Sequence, residues 1–191
     1  MKLIQLLIVI LIIIVLIVAL LLVRYFCLKS RKIDLPFEDD DVIEGGVVRR
    51  YNDPDAPKTI ESSEIVSFSL NLHYYVDEGA IECGVHDMQA YINEGKVKGS
   101  YSFHNRCGEG SSFNFECEEA FMNELDKIIK ENNLSNHNGY FHKVSGLPDM
   151  YGASLNVEYI SGEKLYAYDN QSNFIEETAM EELIGLFSKQ K

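Results

Sequence analysis

The segment VSFSLNLHYYV, residues 66–76, decides the fold of this chain. Apolar and polar residues alternate along its whole length, and successive side chains of a β-strand point to opposite faces of its sheet. The pattern therefore predicts a long strand with one buried and one polar face. The buried residues are expected to be Val66, Phe68, Leu70, Leu72, Tyr74 and Val76, and the polar ones Ser67, Ser69, Asn71, His73 and Tyr75.

Shorter segments on the C-terminal side predict further strands joined by turns. The sequence Asn93-Glu94-Gly95-Lys96 is typical of a hairpin turn, and residues 108–112 are expected to form a loop. The predicted strands are 82–92, 97–104, a short one at 113–115, 140–144, 154–159 and 164–168.

Two segments, 118–132 and 174–187, have the periodicity of amphipathic helices. Asn173 is expected to cap the second helix. Because hairpins and helices follow one another without βαβ alternation, the sequence predicts an α+β domain. The expected architecture is an antiparallel sheet of hairpins with two helices packed on one face, preceded by one transmembrane helix. The apolar stripes are Phe121, Leu125, Ile128 and Ile129 in the first helix and Met180, Leu183, Ile184 and Phe187 in the second.

The predicted transmembrane helix runs from Leu3 to Val23. All of these residues except Gln5 are apolar, and a helix of this length spans roughly 27–31 Å, the thickness of a hydrocarbon core. Basic residues follow it up to Lys32, so residues 1–32 are interpreted as a membrane anchor with a basic flank. The positive-inside rule favours a cytoplasmic position for the rest of the chain. The extracytoplasmic side remains the alternative, because many short N-terminal anchors export their domains.

Charge and composition divide the rest of the chain. Residues 33–62 are interpreted as an acidic tether containing prolines and the pair Gly45-Gly46, and residues 63–188 as a single α+β domain. Residues 33–191 carry 12 basic against 30 acidic side chains, a formal charge of −18. Such a domain repels a phosphate backbone, so we expect no nucleic-acid partner.

The cysteines and histidines suggest no specific chemistry. Only His104 and Cys107 have a short metal-ligand spacing, so neither a metal site nor a cofactor is predicted. A disulfide between two of Cys83, Cys107 and Cys117 remains open if the domain is exported, with ordinary thiols as the alternative. Cys107, beside a glycine, keeps open a small hydrolase or thiol enzyme, although no known nucleophile or metalloprotease motif is present.

Two polar-aromatic segments, a compact Gly- and Pro-containing loop and a strand end with Tyr, Asp, Asn and Gln, are the candidate contact sites for a ligand or partner. They comprise residues 145–152 and 166–171. Tyrosine rings beside amides provide contact area and hydrogen bonds, although Asp and Asn also close turns. The candidate binding residues are Tyr151, Tyr166, Tyr168, Asp169, Asn170 and Gln171.

Three segments, 57–62, 145–152 and 166–171, resemble parts of an uncharacterised family of bacterial membrane-anchored or lipoprotein-like proteins. The resemblance covers roughly residues 56–187 and implies no activity, cofactor or catalytic residue. Lipoprotein-like relatives would imply an exported domain, although large residues precede Cys27 in this chain, where such proteins have small ones.

The sequence therefore predicts a single-pass membrane protein whose domain binds an unknown protein or small ligand rather than transforming it. A small hydrolase or thiol enzyme is the first alternative, and a structural subunit of a membrane complex is the second.

Overall fold

The structure, a computed structural model, describes residues 41–43, 46–76, 79–147 and 151–191. These residues form one nine-stranded sheet, in the order β1-β2-β7-β9-β8-β3-β4-β5-β6, and two helices. The strands are β1 (Asp41–Ile43), β2 (Gly46–Asn52), β3 (Ile65–Tyr74), β4 (Gly84–Asn93), β5 (Lys96–His104), β6 (Gly110–Cys117), β7 (Tyr140–Ser145), β8 (Gly152–Tyr159) and β9 (Lys164–Asp169). The helices are α1 (Ala120–Glu131) and α2 (Glu177–Ser188), with a 3-10 turn at Leu134–His137.

Both helices pack on the apolar face of the sheet. The ring of Phe187 in α2 lies 5.7 Å from that of Phe68 in β3 and 5.1 Å from that of Phe121 in α1. Phe115 of β6 covers Gly99 of β5, where a Cβ atom would lie 2.2 Å from the ring. The period-two pattern of β3 therefore defines a core between the sheet and the two helices.

The prediction of a wholly antiparallel sheet is wrong, because β7 and β9 are parallel. The chain leaves β7 and forms β8 next to β3, and β9 then inserts between β8 and β7. The sheet is therefore mixed. Alternation along a strand determines which side chains face the core, but it does not determine which strand pairs with it or in which direction.

The predicted transmembrane helix, Leu3 to Val23, and its basic flank lie outside the described residues. In the part of the chain that the structure describes, no helix is long and apolar enough to cross a membrane. The structure thus gives a mixed sheet with two helices of 12 residues each, and not the predicted fold class.

Residues within the predicted tether, 33–62, belong to the sheet. Strands β1 and β2 come from this segment, and β2 pairs with β7 along six residues. Val48 of β2 is only 2% exposed, and Ile60 is also buried. The prolines and acidic residues around β2 resemble a linker in composition, but the short segment GVVRRYN (46–52) has enough apolar and β-branched residues to join an existing edge.

Three predicted loops and caps can be compared with the structure, which differs from the prediction at two of them and agrees at one. The predicted loop at 108–112 is shorter, because β6 already begins at Gly110. Asn173 does not cap α2, whose N-cap residue is Glu176 without a side-chain hydrogen bond. The hairpin turn after Asn93 is confirmed: Glu94 and Gly95 both have positive φ, as a type I′ turn requires.

The position of β2 in the sheet leads to a stability prediction. Val48→Ala removes two buried methyl groups, so we expect the free energy of unfolding to fall by about 2 kcal/mol. Urea denaturation of the full-length protein measures this value. Val47→Ala, at the half-buried neighbouring position, is the matched control and should change stability by well under half as much. Equal, negligible effects of both substitutions would mean that this segment is a tether after all.

Candidate functional site

The sheet face opposite the helices is polar, and we call it the open face. Its side chains are the residues that alternate with the core positions of β3, β4, β5, β6, β8 and β9. Strand register aligns them in rows that cross six strands, with neighbours about 5 Å apart. One row consists of Tyr166, Asn156, Ser69, Gln89, Ser100 and Asn114, and the next of Tyr168, Ser154, Asn71, Asp87, Ser102 and Ser112.

A shallow groove of about 520 Å³ lies on the open face over β4, β5 and β6. Tyr91 lines this groove, and 49% of its surface is exposed. The groove's two charged side chains, Lys98 and Glu116, are direct neighbours in the strand register, so their charges offset each other. The open-face residues that line it are Gln89, Tyr91, Lys98, Ser100, Asn114 and Glu116.

The structure brings four of the six predicted binding residues together. Tyr151, Tyr168, Asp169 and Asn170 line a cavity of about 60 Å³ at one end of the open face. This volume holds a few water molecules, whereas small-molecule sites usually measure about 300–1,000 Å³. Tyr166 does not line this cavity, although it lies on the same face and is partly exposed.

The carboxylate of Asp169 is directed to the other side of the sheet, where it is 1% exposed and accepts five hydrogen bonds. Tyr140 OH donates to Oδ2 at 2.8 Å, and Nδ1–H of His142 does so at 3.0 Å. Ser172 donates its hydroxyl to Oδ2 at 2.7 Å and its backbone N–H to Oδ1 at 2.9 Å, and the backbone N–H of Gln171 donates to Oδ1 at 2.8 Å. Burial alone would raise the pKa of Asp169, but these hydrogen bonds to the charged form outweigh it and lower the pKa.

Asn170 and Gln171 have structural contacts as well. The Asn170 side chain accepts from Val144 N–H at 2.8 Å and donates to Val144 C=O at 2.9 Å. It thus satisfies the backbone groups of β7 next to the end of β9. Gln171 contributes its backbone N–H to the turn around Asp169. The sequence located this segment, but it did not identify Tyr140, His142 and Ser172 as partners of Asp169. An Asp followed three residues later by Ser is a turn signal that could have found the last of them.

The cysteine and histidine candidates are dispersed. Cys83, Cys107 and Cys117 are all free thiols in the structure. Cys107 lies in an exposed turn organised by Asn105, whose side-chain oxygen accepts from the backbone N–H of Cys107 and of Glu109. Across the described ranges, no group of three or more His, Cys, Asp or Glu side chains is placed to hold a metal ion.

The close pair His142 and Asp169 has the residue types of an acid–base dyad. Its environment does not suit catalysis, because the Asp169 side chain is fully buried and that of His142 is only 14% exposed. Nδ1 of His142 carries the proton, since an ionised carboxylate can only accept. The second ring nitrogen, Nε2, is buried without a hydrogen-bond partner in the described structure, so a substrate has no open approach to it.

Comparison with known proteins gives no relative: no family model, curated protein or solved structure matches this chain. The resemblance to membrane-anchored bacterial proteins therefore stays a prediction from the sequence.

The Asp169 cluster leads to a prediction that separates a structural role from ligand binding. Asp169→Asn replaces a buried acceptor of five hydrogen bonds by a group that accepts fewer, so we expect the free energy of unfolding at pH 7 to fall by about 3 kcal/mol. Urea denaturation measures this loss. Unchanged stability at pH 7 would instead leave Asp169 available to a ligand.

The same substitution has a predicted pH dependence. The folded-state pKa of Asp169 is lower than its ordinary value of 3.8, so the unfolded chain takes up the proton first as pH falls. The stability contributed by Asp169 is therefore present above pH 3.8 and is lost as pH falls below it. We expect the difference in the free energy of unfolding between the wild type and Asp169→Asn to decrease as the pH falls below 3.8.

Proposed function

We propose that this protein is a non-catalytic binding protein whose open face holds a neutral, hydroxyl-rich ligand of the carbohydrate class. The rows of amides and hydroxyls across the open face carry this proposal. Each Ser, Asn and Gln side chain can both donate and accept hydrogen bonds. A sugar hydroxyl does the same, so a row such as Ser69, Gln89 and Ser100 matches a chain of hydroxyl groups.

Electrostatics support a neutral ligand. The formal charge of −18 over residues 33–191 disfavours phosphates and other anions. Lys98 and Glu116 offset each other within the groove, and Lys164 forms an ion pair with Glu158 at 2.6 Å at the edge of the open face. Tyr91 adds an exposed ring against which the apolar face of a sugar can pack.

The alternative of a thiol enzyme or hydrolase draws no comparable support. Cys107 lies in an exposed turn whose side-chain hydrogen bonds organise the backbone, and the His142–Asp169 pair is buried. A general base must reach the proton that it abstracts, which neither arrangement favours.

Removal of open-face amides tests the proposed site. The full-length protein in detergent is screened on an array of neutral oligosaccharides, and the strongest ligand is titrated calorimetrically. The double variant Gln89→Ala/Asn114→Ala removes two exposed amides from the groove, so we expect about a tenfold loss of affinity or more.

The matched control for this experiment is Asn123→Ala, an exposed amide on α1 at the other side of the sheet. It should bind the oligosaccharide as the wild type does. The proposal is wrong if no neutral oligosaccharide binds, or if the double variant and the control bind equally well.

We also propose that the apolar segment 3–23 holds the protein at a cell membrane. Ile13→Arg/Leu16→Arg adds two charges to the middle of this segment, each costing about 3 kcal/mol in hydrocarbon, so we expect the protein to move from the carbonate-washed membrane pellet to the supernatant. Ile13→Val/Leu16→Ile is the control and should stay in the pellet. Partition of both variants into the same fraction would contradict the proposal.

The basic flank of this segment favours a cytoplasmic position for the rest of the chain. Labelling of the exposed Cys107 by an impermeant thiol reagent in intact cells would indicate the opposite side of the membrane.

A further inference from the structure

We propose a second binding site, independent of the open face, that takes a small cationic amine with an apolar body. It is a cavity of about 450 Å³ on the helix-covered side of the sheet, between α2 and strands β4, β5 and β6. We call it the end cavity. Its volume is within the usual range for small-molecule sites, about 300–1,000 Å³.

Aromatic rings form the wall of the end cavity. Tyr101 and Phe113, on adjacent strands, have ring centroids 5.7 Å apart, and the His86 ring lies 4.8 Å from that of Phe103. Ile184 of α2 lines the cavity as well. An apolar group of a ligand would replace water on these surfaces, which is favourable in proportion to the area that it covers.

The hydrogen bonds of His86 determine what the wall offers to a ligand. His86 is 1% exposed, and its Nε2 lies 2.8 Å from the backbone oxygen of Glu82. A carbonyl oxygen can only accept, so Nε2 carries the proton. Burial lowers the pKa of His86, which keeps the ring neutral near pH 7 and leaves a lone pair on Nδ1.

Tyr101 is consequently restricted to one role. Its hydroxyl lies 2.9 Å from Nδ1 of His86 and must donate its proton there. The hydroxyl oxygen then has only lone pairs to offer to the cavity. A ligand that meets this oxygen has to be a hydrogen-bond donor.

The other polar groups favour a positive charge. The acidic residues Glu82 and Glu181 line the end cavity, and both are exposed. The last turn of α2 also borders it, and a helix C-terminus carries a partial negative charge. Among the described residues of the lining, Lys191 is the one cationic side chain, and Ser111 and Ser188 can donate or accept. An ammonium group therefore matches the cavity in charge and in hydrogen-bond direction.

Three probes of the same shape test this inference on the full-length protein in detergent. Benzylamine is cationic at pH 7, benzyl alcohol is neutral and benzoate is anionic, and calorimetric titration compares them. We expect benzylamine to bind best and benzoate not to bind. Glu181→Gln should weaken benzylamine binding about fivefold, whereas Lys191→Gln should strengthen it, because it removes a competing cation.

Glu124→Gln, an exposed residue of α1 that does not line the end cavity, is the control for loss of one negative charge. Equal affinity for the three probes would overturn the inference, as would equal effects of Glu181→Gln and Glu124→Gln. The open-face variant Gln89→Ala/Asn114→Ala should leave benzylamine binding unchanged, so the failure of one proposed site does not decide the other.

Discussion

The buried carboxylate of Asp169 holds the two parts of the sheet together. Strands β1, β2 and β7 form one part and the six strands from β9 to β6 the other, and they are joined by the parallel pair β7–β9, whose register covers three residue pairs. Asp169 on β9 accepts from Tyr140 and His142 on β7, and Asn170 completes the backbone pairing of Val144. Five hydrogen bonds to one carboxylate offset the cost of burying its charge.

A second buried amide supports the same junction. Asn138, just before β7, donates to the carbonyl groups of Pro57 and Lys164, and its oxygen accepts from the N–H of Tyr166. One side chain therefore connects the segment after β2, the start of β7 and strand β9. A short parallel pair depends on such contacts, because its few ladder bonds cannot by themselves fix the position of three neighbouring segments.

Local patterns in the sequence predicted local structure, and the junction is not local. Alternation predicted the two faces of β3 from Ser67 to Tyr74, although Ile65 is buried in place of Val66 at a register irregularity. A glycine after Glu94 predicted a hairpin, and both features depend on neighbouring residues. The parallel pair and the inclusion of β2 depend on partners far away in sequence, which no spacing encodes. The predicted binding residues Tyr151, Tyr168, Asp169 and Asn170 lie together, but such residues close turns as readily as they contact a ligand. Tyr140 and His142, nearly thirty residues before Asp169, gave no signal of their own.

The two proposed sites use alternate residues of the same three strands, and their hydrogen-bond inventories select different ligands. Ser100 faces the groove on the open face and its neighbour Tyr101 faces the end cavity. On the open face every amide and hydroxyl can donate as well as accept, which suits a neutral polyhydroxyl chain. In the end cavity the Glu82 carbonyl fixes the His86 tautomer, His86 accepts the hydrogen bond of Tyr101, and two acidic residues face one lysine in the lining. A neutral sugar would leave that excess of negative charge without a counter-charge, whereas in the groove an ammonium ion would meet Glu116 beside Lys98. Because alternate residues of one strand face opposite sides of the sheet, the same three strands present a neutral polar surface on one side and an acidic, aromatic cavity on the other.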